Sequence, residues 1–189
     1  NTKYPGILVY GTDGQAPNII EQNVIWNPGN HGIQVASDAV VRNNLVFMNE
    51  DTVYHDPSNA TDAIRSQPHQ SAVPGNLKII HNTIISHHSG IRVHPTNEGT
   101  LSGPVLIANN AIYAREDGGA PDWAIRVPQF SGTQTTVAGN VGVGTACIFI
   151  PPPNHPITGC TVEPDQFNPI GDLAADLVNS DWEGTVLDA

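Results

Sequence analysis

Basic side chains are scarce in this sequence: seven lysines and arginines stand against eighteen acids, giving a formal net charge of −11. That balance lacks the electrostatic footprint of a nucleic-acid binder and sets the chain against anionic membranes. Long apolar runs are missing too, since none approaches the roughly 20 residues of a membrane span. The N-terminus lacks the basic-then-apolar pattern of a signal peptide. The expectation is a soluble chain, mature or a fragment, with neither nucleic acid nor membrane as partner. Cysteine is limited to Cys147 and Cys160. They fit either a disulfide closing a short proline-rich loop in an exported protein or two buried thiols. A single glycosylation sequon, Asn59-Ala60-Thr61, matters only on a eukaryotic secretory route.

Glycine (18), proline (16) and asparagine are plentiful, whereas charged residues make up 13%. Short strands joined by frequent turns are therefore expected, not long helices. At 189 residues the chain suits one domain, large enough to bury roughly two thirds of its unfolded surface.

Two motifs alternate along the chain. The first is a small residue followed by isoleucine: GILVY from Gly6, GIQVA from Gly32, AIRSQ from Ala63, GIRVH from Gly90 and AIRVP from Ala124. The second is a pair of apolar runs hinged at an asparagine: Asn23, Asn44, Asn82, Asn110 and Asn140. Three short strands per repeat of roughly 20–40 residues, without helical periodicity, describe one coil of a parallel β-helix. Asparagine at each bend tolerates left-handed torsions. Its amide can also bond to the equivalent residue one coil away, as a ladder.

On these motifs, residues 6–144 resemble the right-handed parallel β-helix (pectin-lyase-like) superfamily. The resemblance implies an all-β, right-handed single-stranded parallel β-helix of about five coils over residues 1–144. Residues 145–189 follow as a C-terminal capping segment, in which DLAADL suits a short helical turn. The first coil has no evident cap, so a further segment or another chain is expected to cover it.

Period-two alternation places the first outward column of the small-Ile strands at Leu8, Gln34, Arg65, Arg92 and Arg126. The second is Tyr10, Ala36, Gln67, His94 and Pro128. Three of seven basic residues thus share one position in successive coils. Stacked guanidiniums repel unless carboxylates or a bound anion intervene. Two arrangements satisfy them: intramolecular pairing with loop acids such as Asp56, Asp62, Glu98 and Asp122, or a uronate polysaccharide lying along the coils. The histidines His87 and His88 fall on a turn, and adjacent residues do not readily share one metal, so no metal site is expected there.

β-Elimination of a uronate needs a base, a cation for the carboxylate and a proton donor. The resemblance implies Arg92 or His94 as base, and Tyr54 or His55 as donor. Arg65 and Arg126 would bind carboxylates, with Gln34, Gln67 and Tyr10 as further substrate contacts. No cofactor is required, although Glu50, Asp51 and Asp56 could supply Ca²⁺ ligands without a recognisable Ca²⁺ loop. Hydrolysis needs two positioned carboxylates, and neither outward column holds one. The expected function is therefore an extracellular or periplasmic lyase of acidic polysaccharide. A non-catalytic carbohydrate-binding or structural β-helix is the alternative, and a glycoside hydrolase ranks third.

Overall fold

A computed structural model describes residues 4–11, 16–48, 61–68, 75–87, 89–93, 103–114, 123–128, 135–138, 140–143 and 149–150. Sixteen strands run in chain order through three parallel sheets. Sheet A holds β1 (Ile7–Tyr10), β4 (Ile33–Ala36), β7 (Ile64–Ser66), β10 (Ile91–Val93), β13 (Ile125–Pro128) and β16 (Phe149–Ile150). Sheet B holds β2 (Asn18–Glu21), β5 (Ala39–Arg42), β8 (Leu77–Ile80), β11 (Val105–Ala108) and β14 (Thr135–Ala138). Sheet C holds β3 (Val24–Trp26), β6 (Leu45–Met48), β9 (Thr83–Ser86), β12 (Ala111–Ala114) and β15 (Val141–Val143). The chain visits A, B and C in turn, and each strand pairs in parallel with its equivalent one coil away. This is a right-handed parallel β-helix. The last strand of sheet A, Phe149–Ile150, comes from the stretch read as the capping segment. The rest of that segment, with both cysteines, lies outside the described residues.

The small-Ile motif builds the core because the registers hold. Ile7, Ile33, Ile64, Ile91 and Ile125 are Cα partners in succession. The last four are fully buried. Sheet B adds a stack of Val41, Ile79 and Ile107, and sheet C one of Val46, Ile84 and Ile112. Each such side chain contributes roughly 1.5–3 kcal/mol on burial. The residue before the isoleucine must be small: a Cβ at Gly90 would meet the Ala124 carbonyl oxygen at 2.6 Å and overlap Ile112.

The corner between sheets B and C is a two-residue bend in every coil. Its asparagines form a continuous ladder. Nδ2 of Asn23, Asn44, Asn82 and Asn110 donates to Oδ1 of the next asparagine at 2.9, 2.9, 3.0 and 2.8 Å. The backbone N–H of each donates to that same oxygen. One expectation is corrected here. The left-handed torsion falls on the residue before the ladder asparagine, at Gln22, Asn43, His81 and Asn109, with φ between 53° and 57°. The preceding residue makes the turn, which frees the ladder asparagine's amide to point into the stack and also reach the carbonyl two residues back.

The other two corners vary, and both border sheet A. Residues 49–63 and 115–124 lead into β7 and β13, whereas residues 67–76 and 94–104 leave β7 and β10. Inserted chain thus gathers at the ends of the strands that carry the arginines.

Candidate functional site

The first outward column of sheet A is real. Leu8, Gln34, Arg65, Arg92 and Arg126 are successive Cα partners. The three arginines therefore stand on adjacent strands, separated by about 4.8 Å per step. All three are half-buried. Gln34 is buried, at 7% exposure, and Leu8 and Tyr10 are exposed on the first coil. In the second column Tyr10 partners Ala36, while the Gln67 N–H donates to the Val35 carbonyl at 3.1 Å just beyond β7. His94, Tyr54 and His55 lie outside the described residues, as do Asp56, Glu98, Asp122 and the acids named for Ca²⁺.

A second column, not read from the sequence, runs beside the first. The residues preceding each small-Ile pair are Pro5, His31, Asp62, Ser89 and Trp123. Their carbonyls accept from successive coils: Gly6 N–H bonds to His31, Gly32 to Asp62, Ala63 to Ser89 and Gly90 to Trp123. Each lies three residues before a member of the outward column, so every coil presents a pair: His31 with Gln34, Asp62 with Arg65, Ser89 with Arg92, Trp123 with Arg126. The pairs differ in chemistry. Asp62 Oδ2 lies 3.2 Å from Arg65 Nη1. The Arg126 guanidinium sits over the Trp123 ring, 3.7 Å from its centroid, a cation–π contact. Arg92 makes no side-chain hydrogen bond among the described residues, and its same-coil partner Ser89 carries no charge.

Asp62 is fully buried. Its backbone N–H donates to His31 Nδ1 at 3.0 Å, which fixes that nitrogen as an acceptor. The 3.8 Å approach of His31 Nδ1 to Asp62 Oδ2 is therefore no ion pair at neutral pH. Burial first, then the Arg65 and Arg92 charges, hold His31 down at about 3. Burial pushes the Asp62 carboxyl above its ordinary range, opposed by the three arginines and by the Ser89 side chain acting as hydrogen-bond donor. Burial also lowers Arg65, and burial with repulsion from Arg92 brings Arg126 to about 10. Asp62 Oδ1, Arg65 Nε, Arg126 Nε and Trp123 Nε1 are buried without a hydrogen-bond partner among the described residues. Such orphaned atoms cost stability; these four gather around the arginine column, whereas Asn43 Oδ1, at the sheet B–C corner, is another.

Among the described residues, three guanidiniums thus share one carboxylate. The described residues hold five basic side chains (Arg42, Arg65, Lys78, Arg92, Arg126) and three acidic ones (Glu21, Asp38, Asp62), although the whole chain is strongly acidic. Among the described residues the arginine column is thus a cationic surplus; the other fifteen acids lie outside them. A cavity of about 420 Å³ opens at the first coil, beside Ile25, Trp26 and Pro28, and no arginine lines it. No protein-family model, curated protein or solved structure matches the chain.

Proposed function

We propose that this protein is an exported, polysaccharide-directed β-helix of the pectin-lyase-like kind, engaging acidic, uronate-bearing glycan along the outer face of sheet A. The observation that carries the reading is Arg92, a half-buried guanidinium between two others in register, with no side-chain hydrogen bond among the described residues while Asp62 and Trp123 hold its neighbours. Planar guanidiniums suit bidentate carboxylate contacts. An anion relieves the repulsion that the column otherwise stores.

The reaction proposed at this face is β-elimination. A base takes the proton alpha to the uronate carboxylate, that electron pair forms the new C=C bond, and the glycosidic oxygen leaves with a proton. Arg92 or His94 is the proposed base, Arg65 and Arg126 neutralise the carboxylate, and Tyr54 or His55 protonates the leaving oxygen. Arg126, brought to about 10, keeps its charge at neutral pH, as a carboxylate-neutralising group must. Hydrolysis is disfavoured, because the described carboxylate on this face, Asp62, is fully buried. A non-catalytic binding platform remains the second reading, favoured by the immobilisation of Arg126 on Trp123.

Incubation with pectate, alginate and hyaluronan, followed by ultraviolet absorbance for unsaturated uronates, tests the proposal. At least one polymer is expected to yield product, and Arg92→Ala is expected to slow it by about 100-fold or more without lowering the melting temperature. Binding without product supports the platform. The absence of both binding and product would refute an acidic glycan as ligand.

A further inference from the structure

We propose that Asp62 is a built-in counter-anion of the arginine column: it occupies Arg65 in the unliganded protein and competes with ligand carboxylates for it, so that removing its charge strengthens acidic-polymer binding. This rests on the acidic-glycan reading of the same face.

The geometry is that of a ligand group supplied from inside. A carboxylate is the group a uronate would present, and Asp62 presents one from beneath, fully buried, 3.2 Å from Arg65 Nη1. Arg65 keeps 17% of its side chain exposed, so its outer surface still meets solvent. The groups facing Asp62 come from four coils. His31, ahead of β4, is neutral and accepts the Asp62 N–H. Arg65 lies on its own strand β7, Ser89 and Arg92 belong to the next coil, and Arg126 stands on β13 and acts at longer range. Asp62 Oδ1 has no hydrogen-bond partner among the described residues, and the carboxylate's contact with Arg65 runs through Oδ2.

Two states of the column follow. With Asp62 ionised, one of three guanidiniums is already compensated, and a ligand meets mainly Arg92 and Arg126. With Asp62 uncharged, all three are available. Burial raises the Asp62 carboxyl, whereas a uronate in solvent titrates in the ordinary carboxylate range. As pH falls from neutral, Asp62 therefore takes its proton before the polymer does. In that window the ligand is still anionic and the column gains a cation, so binding tightens with acidity until the uronates themselves protonate. His31, held near 3, stays neutral throughout and contributes nothing to the change.

Calorimetric titration of the full chain with trigalacturonate, from about pH 7 to about pH 5 and over a salt series, tests this. The wild type is expected to bind more tightly as pH falls. Asp62→Asn is expected to bind about 5-fold or more tightly than wild type at neutral pH, with a steeper salt dependence and no tightening on acidification. Equal affinity and equal pH profiles for the two proteins would show that Asp62 only supports the fold, leaving the acidic-glycan reading intact. Absence of binding to both, at every pH, would remove that reading and this one with it. Should Asp62→Asn fail to fold, Asp62→Ser takes its place, with the same expected gain in affinity at neutral pH and the same overturning result.

Discussion

Two corners of the same coil follow opposite rules. Between sheets B and C every described coil offers the same residue, asparagine, and the interior rungs of the amide ladder, Asn44, Asn82 and Asn110, each both donate and accept. Between sheets C and A the equivalent position changes at each step, from His31 to Asp62, Ser89 and Trp123. That column is buried and carries one charge, at Asp62, and it leaves Asp62 Oδ1 and Trp123 Nε1 without a hydrogen-bond partner among the described residues. Repetition serves stacking, because an identical neighbour presents a complementary edge at a fixed spacing. Variation is costly to stacking and is concentrated where the arginines stand. The difference sets one corner apart as scaffold and the other as the candidate site.

The scaffold corner should yield the largest single effect. Asn82 accepts from the Asn44 N–H and amide, and donates to the Val41 and Ile80 carbonyls and to Asn110. Asn82→Ala strands several of these groups in the interior, and a loss of about 3–5 kcal/mol is expected in denaturant unfolding. Asn23, on the terminal rung and only partly buried, should cost about 1 kcal/mol when replaced by alanine. Equal losses at the two positions would break the comparison, because they would mean that stacking on both sides is not what gives a rung its strength.

The same contrast explains what the sequence discloses. The asparagines and the small-Ile pairs are visible as repeats because the physics demands the same residue each time: an amide for an amide, no bulk where Gly90 meets the Ala124 carbonyl. The arginine column follows from these by period-two counting, and its register is as expected. The His31–Asp62–Ser89–Trp123 column was missed because it has no common residue type. The available signal was positional, one step back from each small residue. The left-handed bend residues escaped for a similar reason, since Gln22, Asn43, His81 and Asn109 share a torsion and not a chemistry. Asp62 did figure among the acids that could pair with the arginines, but nothing in its spacing announces a fully buried carboxylate.

A middle-sized effect belongs to the site corner and reports on pH. His31 titrates at about 3 when folded, against an ordinary 6.5. The unfolded chain therefore takes up the proton first, and the stability that neutral His31 contributes is present above about pH 6.5 and lost as pH falls toward about 3. At about pH 5 that loss amounts to about 2 kcal/mol. Thermal unfolding of wild type and His31→Asn at about pH 7 and about pH 5 should show the variant losing less on acidification. Parallel losses would mean that His31 is solvated in the native state, and the desolvated character assigned to this corner would fail with it.

The smallest effect sharpens the comparison from outside both corners. Glu21 and Arg42 are partners on neighbouring strands of sheet B, and their side chains approach to 2.6 Å, closer than Asp62 and Arg65. Both are more than a third exposed, so water and salt screen the attraction, and holding two long side chains together costs entropy. Glu21→Gln is accordingly expected to change unfolding free energy by less than about 0.5 kcal/mol, an effect that disappears at high salt. If the exposed pair instead proved as sensitive as the buried one, distance would govern these interactions. A near-silent Glu21→Gln beside a strongly altered Asp62→Asn would show that burial does, and that the carboxylate beneath the arginines owes its influence to the absence of water.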